Sequence, residues 1–153
     1  MSLAAVRPDD WNFPLLVHVL SAMVFVALLA AVVVVLVASL RGNERAQALR
    51  FAFRTLLIGA IPAFIVMRGA AEWIASKENV SEDDPPGWIN IGYMVTDIGL
   101  LGLIAVTALA GLAARRARGG GEPVRLVRWA EVLTLLLIAA YAVALWAMTA
   151  KPA

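Results

Sequence analysis

Four long apolar stretches run along the chain, set apart by short polar segments. A helix needs about 20 apolar residues to cross the hydrocarbon core of a bilayer. Four segments meet that length, at about 13–40, 55–76, 88–114 and 126–149. The first is the most apolar, with Ser21 the single polar residue between Val19 and Ala38. The β-branched run Val32 to Val35 would favour a strand in water, but in lipid each backbone amide must be satisfied within its own segment, so a helix is predicted. The expected fold is therefore all-α, a four-helix transmembrane bundle forming a single integral membrane domain over residues 1–153.

Within these segments the polar residues recur at spacings of three and four, the signature of one helical face. In the first segment His18, Ser21, Phe25, Leu28, Val32, Val35 and Ser39 share a stripe. In the second, Arg54, Ile58, Ile61, Ile65, Arg68 and Glu72 do so, and in the third Asn90, Tyr93, Asp97, Leu100, Ile104 and Thr107. The fourth gathers Glu131, Thr134, Ile138, Tyr141 and Leu145. Charges inside a bilayer are costly and usually turn toward the bundle interior, so these stripes predict four seams converging on a polar core. Thr55, Thr96 and Thr149 fall off the seams and are expected to bond their own helix backbone. Pro62 removes the hydrogen bond to the Ile58 carbonyl and predicts a kink below Arg68, eased by Gly59. Gly92, Gly99 and Gly102 predict close helix approach in the third segment.

Composition agrees with a membrane protein: 62% of residues are hydrophobic and 16% charged, against roughly 45–50% and 25% in soluble domains. The first segment is too long for a signal-peptide core, and Asp9 and Asp10 precede it, so it reads as a retained helix. Charge fixes an expected orientation. Arg41, Arg45, Arg50 and Arg54 precede the second segment, and Arg115, Arg116, Arg118, Arg125 and Arg128 lie in the connection from the third to the fourth and its first residues, nine of the thirteen basic residues. The middle connection instead holds Glu78, Glu82, Asp83 and Asp84 against Lys77. By the positive-inside rule both arginine regions face the cytoplasm, and both termini lie outside the cell inner (cytoplasmic) membrane. Trp11, Trp73, Trp88 and Trp146 fall near the outer boundary and Trp129 near the inner one, as an aromatic belt requires. The arginines are expected to meet the lipid bilayer, with no nucleic acid, and the apolar flanks leave self-association open.

On this topology His18, Arg68, Asp97 and Tyr141 all lie roughly 8–14 Å from the outer ends of their helices at 1.5 Å per residue, with Glu72, Tyr93 and Asn90 slightly above. The candidate site is the layer His18, Arg68, Glu72, Tyr93, Asp97 and Tyr141, with Arg68–Asp97 as the central pair and His18 as the titrating member. Three readings stay open. The layer can bind or transport a small ligand, a proton or a cation through an outer-facing opening. It can be a buried ion-pair network that only fixes which helices pair. Or His18, Glu72 and Asp97 can hold a divalent metal, against which Arg68 competes for the acids.

Enzymatic chemistry finds little support. The absence of cysteine removes disulfides and thiolates. The single histidine excludes bis-histidine haem within one chain. Ser21 lies one turn from His18 but lacks an oxyanion partner, and no phosphate-binding glycine loop is present. No cofactor is specified by these residues. Glu82, Asp83 and Asp84 lack the spacing of a calcium loop.

The opening Leu16-Val17-His18-Val19-Leu20-Ser21-Ala22-Met23 resembles a bacterial family of four-helix integral membrane proteins of unknown function, and the ending Ala144-Leu145-Trp146-Ala147-Met148-Thr149-Ala150-Lys151-Pro152 is similar to members of that family. The early histidine also resembles, more distantly, copper-resistance membrane proteins and four-helix haem-pathway oxidases. Those relatives use further histidines or grouped methionines, which this chain lacks, so the resemblance implies the four-helix membrane fold and carries over no activity or metal.

Overall fold

A computed structural model describes residues 12–42, 44–78 and 87–150. The chain forms α1 (Asn12–Arg41), α2 (Arg45–Thr55), a π-helical turn (Leu56–Ala60), α3 (Ile61–Glu78), α4 (Gly87–Arg118) and α5 (Val124–Ala150). The π turn joins α2 and α3 without a break, so four helical rods result, each long and apolar enough to cross a membrane. The protein is an all-α, multi-pass four-helix bundle. The acidic stretch holding Glu82, Asp83 and Asp84, and the terminal residues including Trp11 and Lys151, lie outside the described residues.

The second rod starts ten residues earlier than the apolar pattern predicts. Arg45, Arg50 and Arg54 sit on α2, not on a loop. The reason is local: Arg, Ala, Gln and Leu over residues 45–50 are all strong helix formers, and polarity delays only the entry into lipid. The Arg45 guanidinium then caps the end of α1 through the Ser39 carbonyl at 3.1 Å and reaches Glu122 at 3.7 Å. One side chain thereby holds the ends of three rods together. At the same end Arg115, Arg116 and Arg118 complete α4, and the helix closes on Gly120, whose φ of 74° is left-handed. Gly120 donates to the Ala117 carbonyl at 3.4 Å and Gly121 to Arg116 at 3.0 Å, a Schellman closure that makes this turn defined.

The second rod carries a π turn immediately before Pro62. The turn before it widens so that the Ile61 N–H bonds the Leu56 carbonyl five residues back, which relieves the clash between a proline ring and the carbonyl four residues earlier.

The core is apolar, and this corrects the four converging polar seams. Phe25, Leu29, Val32 and Leu36 of α1 meet Leu49, Ala52, Leu56, Ala60 and Phe64 of the second rod. Leu103, Val106 and Ala110 of α4 and Val127, Ala130 and Leu137 of α5 complete it. Ile58 and Ile65, placed on the inward seam by spacing, are 73% and 61% exposed, and Ile104 is 52% exposed. Leu145 also faces outward at 66% exposure, whereas Phe25, Val32, Ser39, Thr107, Thr134 and Tyr141 of the expected seams are buried. Ser39, Thr107 and Thr134 each return their hydroxyl to their own helix backbone, at 2.6 to 2.7 Å. In lipid an apolar exterior costs nothing, so the interface is chosen by packing fit and not by polarity. The predicted glycines show this: a Cβ at Gly102 would stand 2.9 Å from Leu137, and one at Gly99 only 2.5 Å from the Tyr141 hydroxyl.

Trp73, Trp129 and Trp146 are all about half exposed on the outer surface of the bundle. Trp129 and Trp146 stand about 25 Å apart along α5 at 1.5 Å per residue, close to the thickness of a hydrocarbon core.

Candidate functional site

At the end of the bundle opposite the arginines, α3 packs mainly on α1 and α4 on α5. The link between α3 and α4 there is made by side chains around Arg68. Its Nη2 lies 3.0 Å from Glu72 Oε1, one helical turn on, and 3.4 Å from Asp97 Oδ1 across on α4. Its Nη1 donates to the Thr96 hydroxyl at 2.8 Å. The guanidinium carbon lies 4.6 Å from the centre of the Tyr93 ring, a cation–π contact. Tyr93 Oη donates to Glu72 Oε2 at 3.3 Å. Arg68–Asp97 is thus an ion pair between helices as the seams predict, and Tyr93 and Glu72 belong with it.

Thr96 is the member that sequence spacing set aside. It does bond its own helix, to the Gly92 and Tyr93 carbonyls at 2.9 Å, and its oxygen accepts from Arg68 as well. The spacing Tyr93, Thr96, Asp97 is i, i+3, i+4, one face of α4, so the signal was present. A guanidinium with five donors needs more acceptors than two carboxylates in these positions supply.

His18 and Tyr141 are not part of this network. The His18 Nδ1 lies 3.0 Å from the Met67 carbonyl; since a carbonyl only accepts, Nδ1 carries the proton. The ring therefore ties α1 to the α3 backbone beside Arg68, whose own side chain turns away toward α4. Tyr141 lies in the core, edge-on to Phe25 at 5.0 Å between ring centres, and its buried hydroxyl has no hydrogen-bond partner among the described residues. Depth and helical face placed both in the layer with Arg68, but neither bonds the Arg68 side chain. The metal reading falls with this: among the described residues no group of three or more histidines, aspartates or glutamates is assembled to hold an ion.

The carboxylates face outward. The Asp97 side chain is 68% exposed and Glu72 51%, while Arg68 is 29% exposed. Distance along the helices explains why. Asp97 stands about 27 Å from Arg115 along α4, and Glu72 about 27 Å from Arg54 along its rod, at 1.5 Å per residue. A hydrocarbon core is about 30 Å thick, so the acids reach the rim of the apolar layer, with Arg68 just below. The earlier depth of 8–14 Å counted from helix ends, but α4 has 32 residues and extends past the hydrocarbon.

Among protein-family models, curated proteins and solved structures, none matches this chain.

Proposed function

We propose that this protein is a structural or accessory subunit of the cytoplasmic membrane, with both termini outside and the arginine-rich end in the cytoplasm. The observation that supports it most is that Arg68 directs its donors to Glu72, Asp97 and Thr96 in front of a core that, among the described residues, buries no Asp, Glu, Lys, Arg or His side chain. A route for ions through one bundle needs polar groups along its length; among the described residues the core between Phe25 and Val127 is apolar apart from hydroxyls turned onto their own helices and the Tyr141 hydroxyl against Phe25. The Arg68 network then acts as a clamp, fixing α4 against α3 where their backbones stand apart, and ion pairs of this kind set which helices pair and in what register. The orientation rests on the positive-inside rule.

Flux through proteoliposomes tests this. Proton, sodium or potassium flux no higher than in empty vesicles is expected. Flux that Asp97→Asn abolishes would overturn the scaffold reading.

A second reading is favoured by one observation, the exposure of both acids. With Arg68 charged and both acids ionised the cluster carries net −1, and a small cation arriving from outside can be held at Asp97 and Glu72. A cation-dependent rise in melting temperature, lost in Asp97→Asn, would establish it; unchanged melting across proton, sodium, potassium and calcium additions would remove it.

A further inference from the structure

The network above uses one arginine of the bundle. At the other end, two more stand over a feature that the clamp does not involve. A groove of 640 Å³ lies between the last turns of α1 and the exposed face of α2. Its walls are apolar, from Val35 and Ala38 on α1 and Phe51 on α2, and Arg50 and Arg54 line it from the same face of α2. Phe51 is 59% exposed although it lies at the level where the helix enters the apolar layer.

Arg50 and Arg54 are four residues apart, so their like charges repel along the helix. Among the described residues neither makes an ion pair or hydrogen bond. Arg45, on the same helix, differs: it is committed to Ser39 and Glu122. Side chains on a helix lean toward its N-terminus, so both guanidiniums point from the apolar wall back to the membrane surface. Two unpaired forks above an apolar slot complement a molecule with an anionic head and an acyl body. Guanidinium is the side chain best suited to grip phosphate oxygens in pairs. Val35 lies six residues before the end of α1, about 9 Å deeper at 1.5 Å per residue, which gives the upper part of a chain a surface to lie on. Glu44 and Gln47 at the lip add one negative charge and an amide; they suit headgroup hydroxyls better than a second phosphate. The remaining arginines of this end stand exposed at Arg41, on the last turn of α4 and on the first turns of α5, and do not line this groove.

We propose that the α1–α2 groove binds an anionic phospholipid of the bilayer, its phosphate held by Arg50 and Arg54 and its acyl chain against Val35, Ala38 and Phe51. A lipid is favoured over a free phosphate because half of the groove is apolar and opens sideways from two membrane-spanning helices.

The test uses the full chain purified in detergent, with phosphatidylglycerol or phosphatidylcholine added and lipid retention read by native mass spectrometry. Inorganic phosphate is a competitor in a parallel series. An interfacial basic residue contributes about fivefold to anionic-lipid binding, so the double variant Arg50→Gln/Arg54→Gln should retain phosphatidylglycerol about 25-fold less. The control Arg115→Gln/Arg118→Gln removes the same charge elsewhere and should retain it within about twofold of the wild type, since Debye screening limits remote charges. Phosphatidylcholine should be held weakly by all. Equal losses in both double variants, or displacement of the lipid by millimolar phosphate, would overturn the proposal. Should the glutamine variant fail to fold, Arg50→Lys/Arg54→Lys decides: it keeps the charge but not the fork, so a clear fall in retention supports the site and wild-type retention refutes it.

Discussion

Replacing Arg68 with alanine removes the clamp between α3 and α4, and its cost can be assembled from the contacts. The hydrogen bond to Thr96 at 2.8 Å is worth about 1 kcal/mol net. The cation–π contact with Tyr93 at 4.6 Å adds about 0.5–1 kcal/mol. The two ion pairs, whose acids are 51% and 68% exposed, add about 0–1 kcal/mol each, the range for solvated pairs. The larger penalty of about 3–5 kcal/mol for stranding a buried charge does not apply, because Glu72 and Asp97 can turn to water or headgroups. The sum is about 1.5–4 kcal/mol. At about 2–4 °C per kcal/mol for a chain of this size, the melting temperature in detergent should fall by about 3–16 °C. Arg68→Lys, which keeps charge but loses the fork, should lie between. In an Asp97→Asn background the same replacement should cost less, since the cross-helix pair is already gone. A fall of less than about 2 °C in Arg68→Ala, on the same scale, or full additivity with Asp97→Asn, would refute the clamp.

The Tyr141 hydroxyl, buried without a partner, makes Tyr141→Phe neutral or stabilising by about 1 kcal/mol, measured by the same melt. Gly99→Ala places a methyl 2.5 Å from that hydroxyl and should destabilise, with part of the loss recovered in the Gly99→Ala/Tyr141→Phe double variant; no coupling between the two would place Tyr141 elsewhere. Phe25→Ala empties a site that is 0% exposed and touches Phe64 and Tyr141, and should cost about 3–5 kcal/mol in a reversible denaturant titration. Because the chain has no cysteine, single cysteines at Ser76 and Gly119 report orientation on a clean background: an impermeant thiol reagent applied to intact cells should label the first and spare the second, and the opposite pattern would invert the topology.

The positions of the helices were legible because crossing a bilayer is a requirement of length and polarity that the chain states directly: 20 apolar residues in a row leave few alternatives. The disturbance of the helix at Pro62 and the close-packing glycines of α4 could also be read, since each acts through its own backbone or its lack of a side chain. The ion pair of Arg68 with Asp97 was readable for a related reason: charges in a bilayer seek each other.

What required the tertiary structure was direction around each helix. In water a polar stripe marks the outside and an apolar one the core, but in lipid both faces of a helix such as α1 are apolar, and packing shape alone selects the buried one. Ile58 and Ile65 therefore face outward while Ala60 and Phe64 face inward, a choice that no hydrophobic period contains. The same ambiguity put His18 and Tyr141 among the Arg68 side-chain contacts, whereas the packed bundle turns one to the Met67 carbonyl and the other into the core. Sequence fixes which groups are charged and their order along each helix; only the packed bundle determines that Thr96 completes the arginine's bonds and that, among the described residues, Arg50 and Arg54 remain unpaired over a groove.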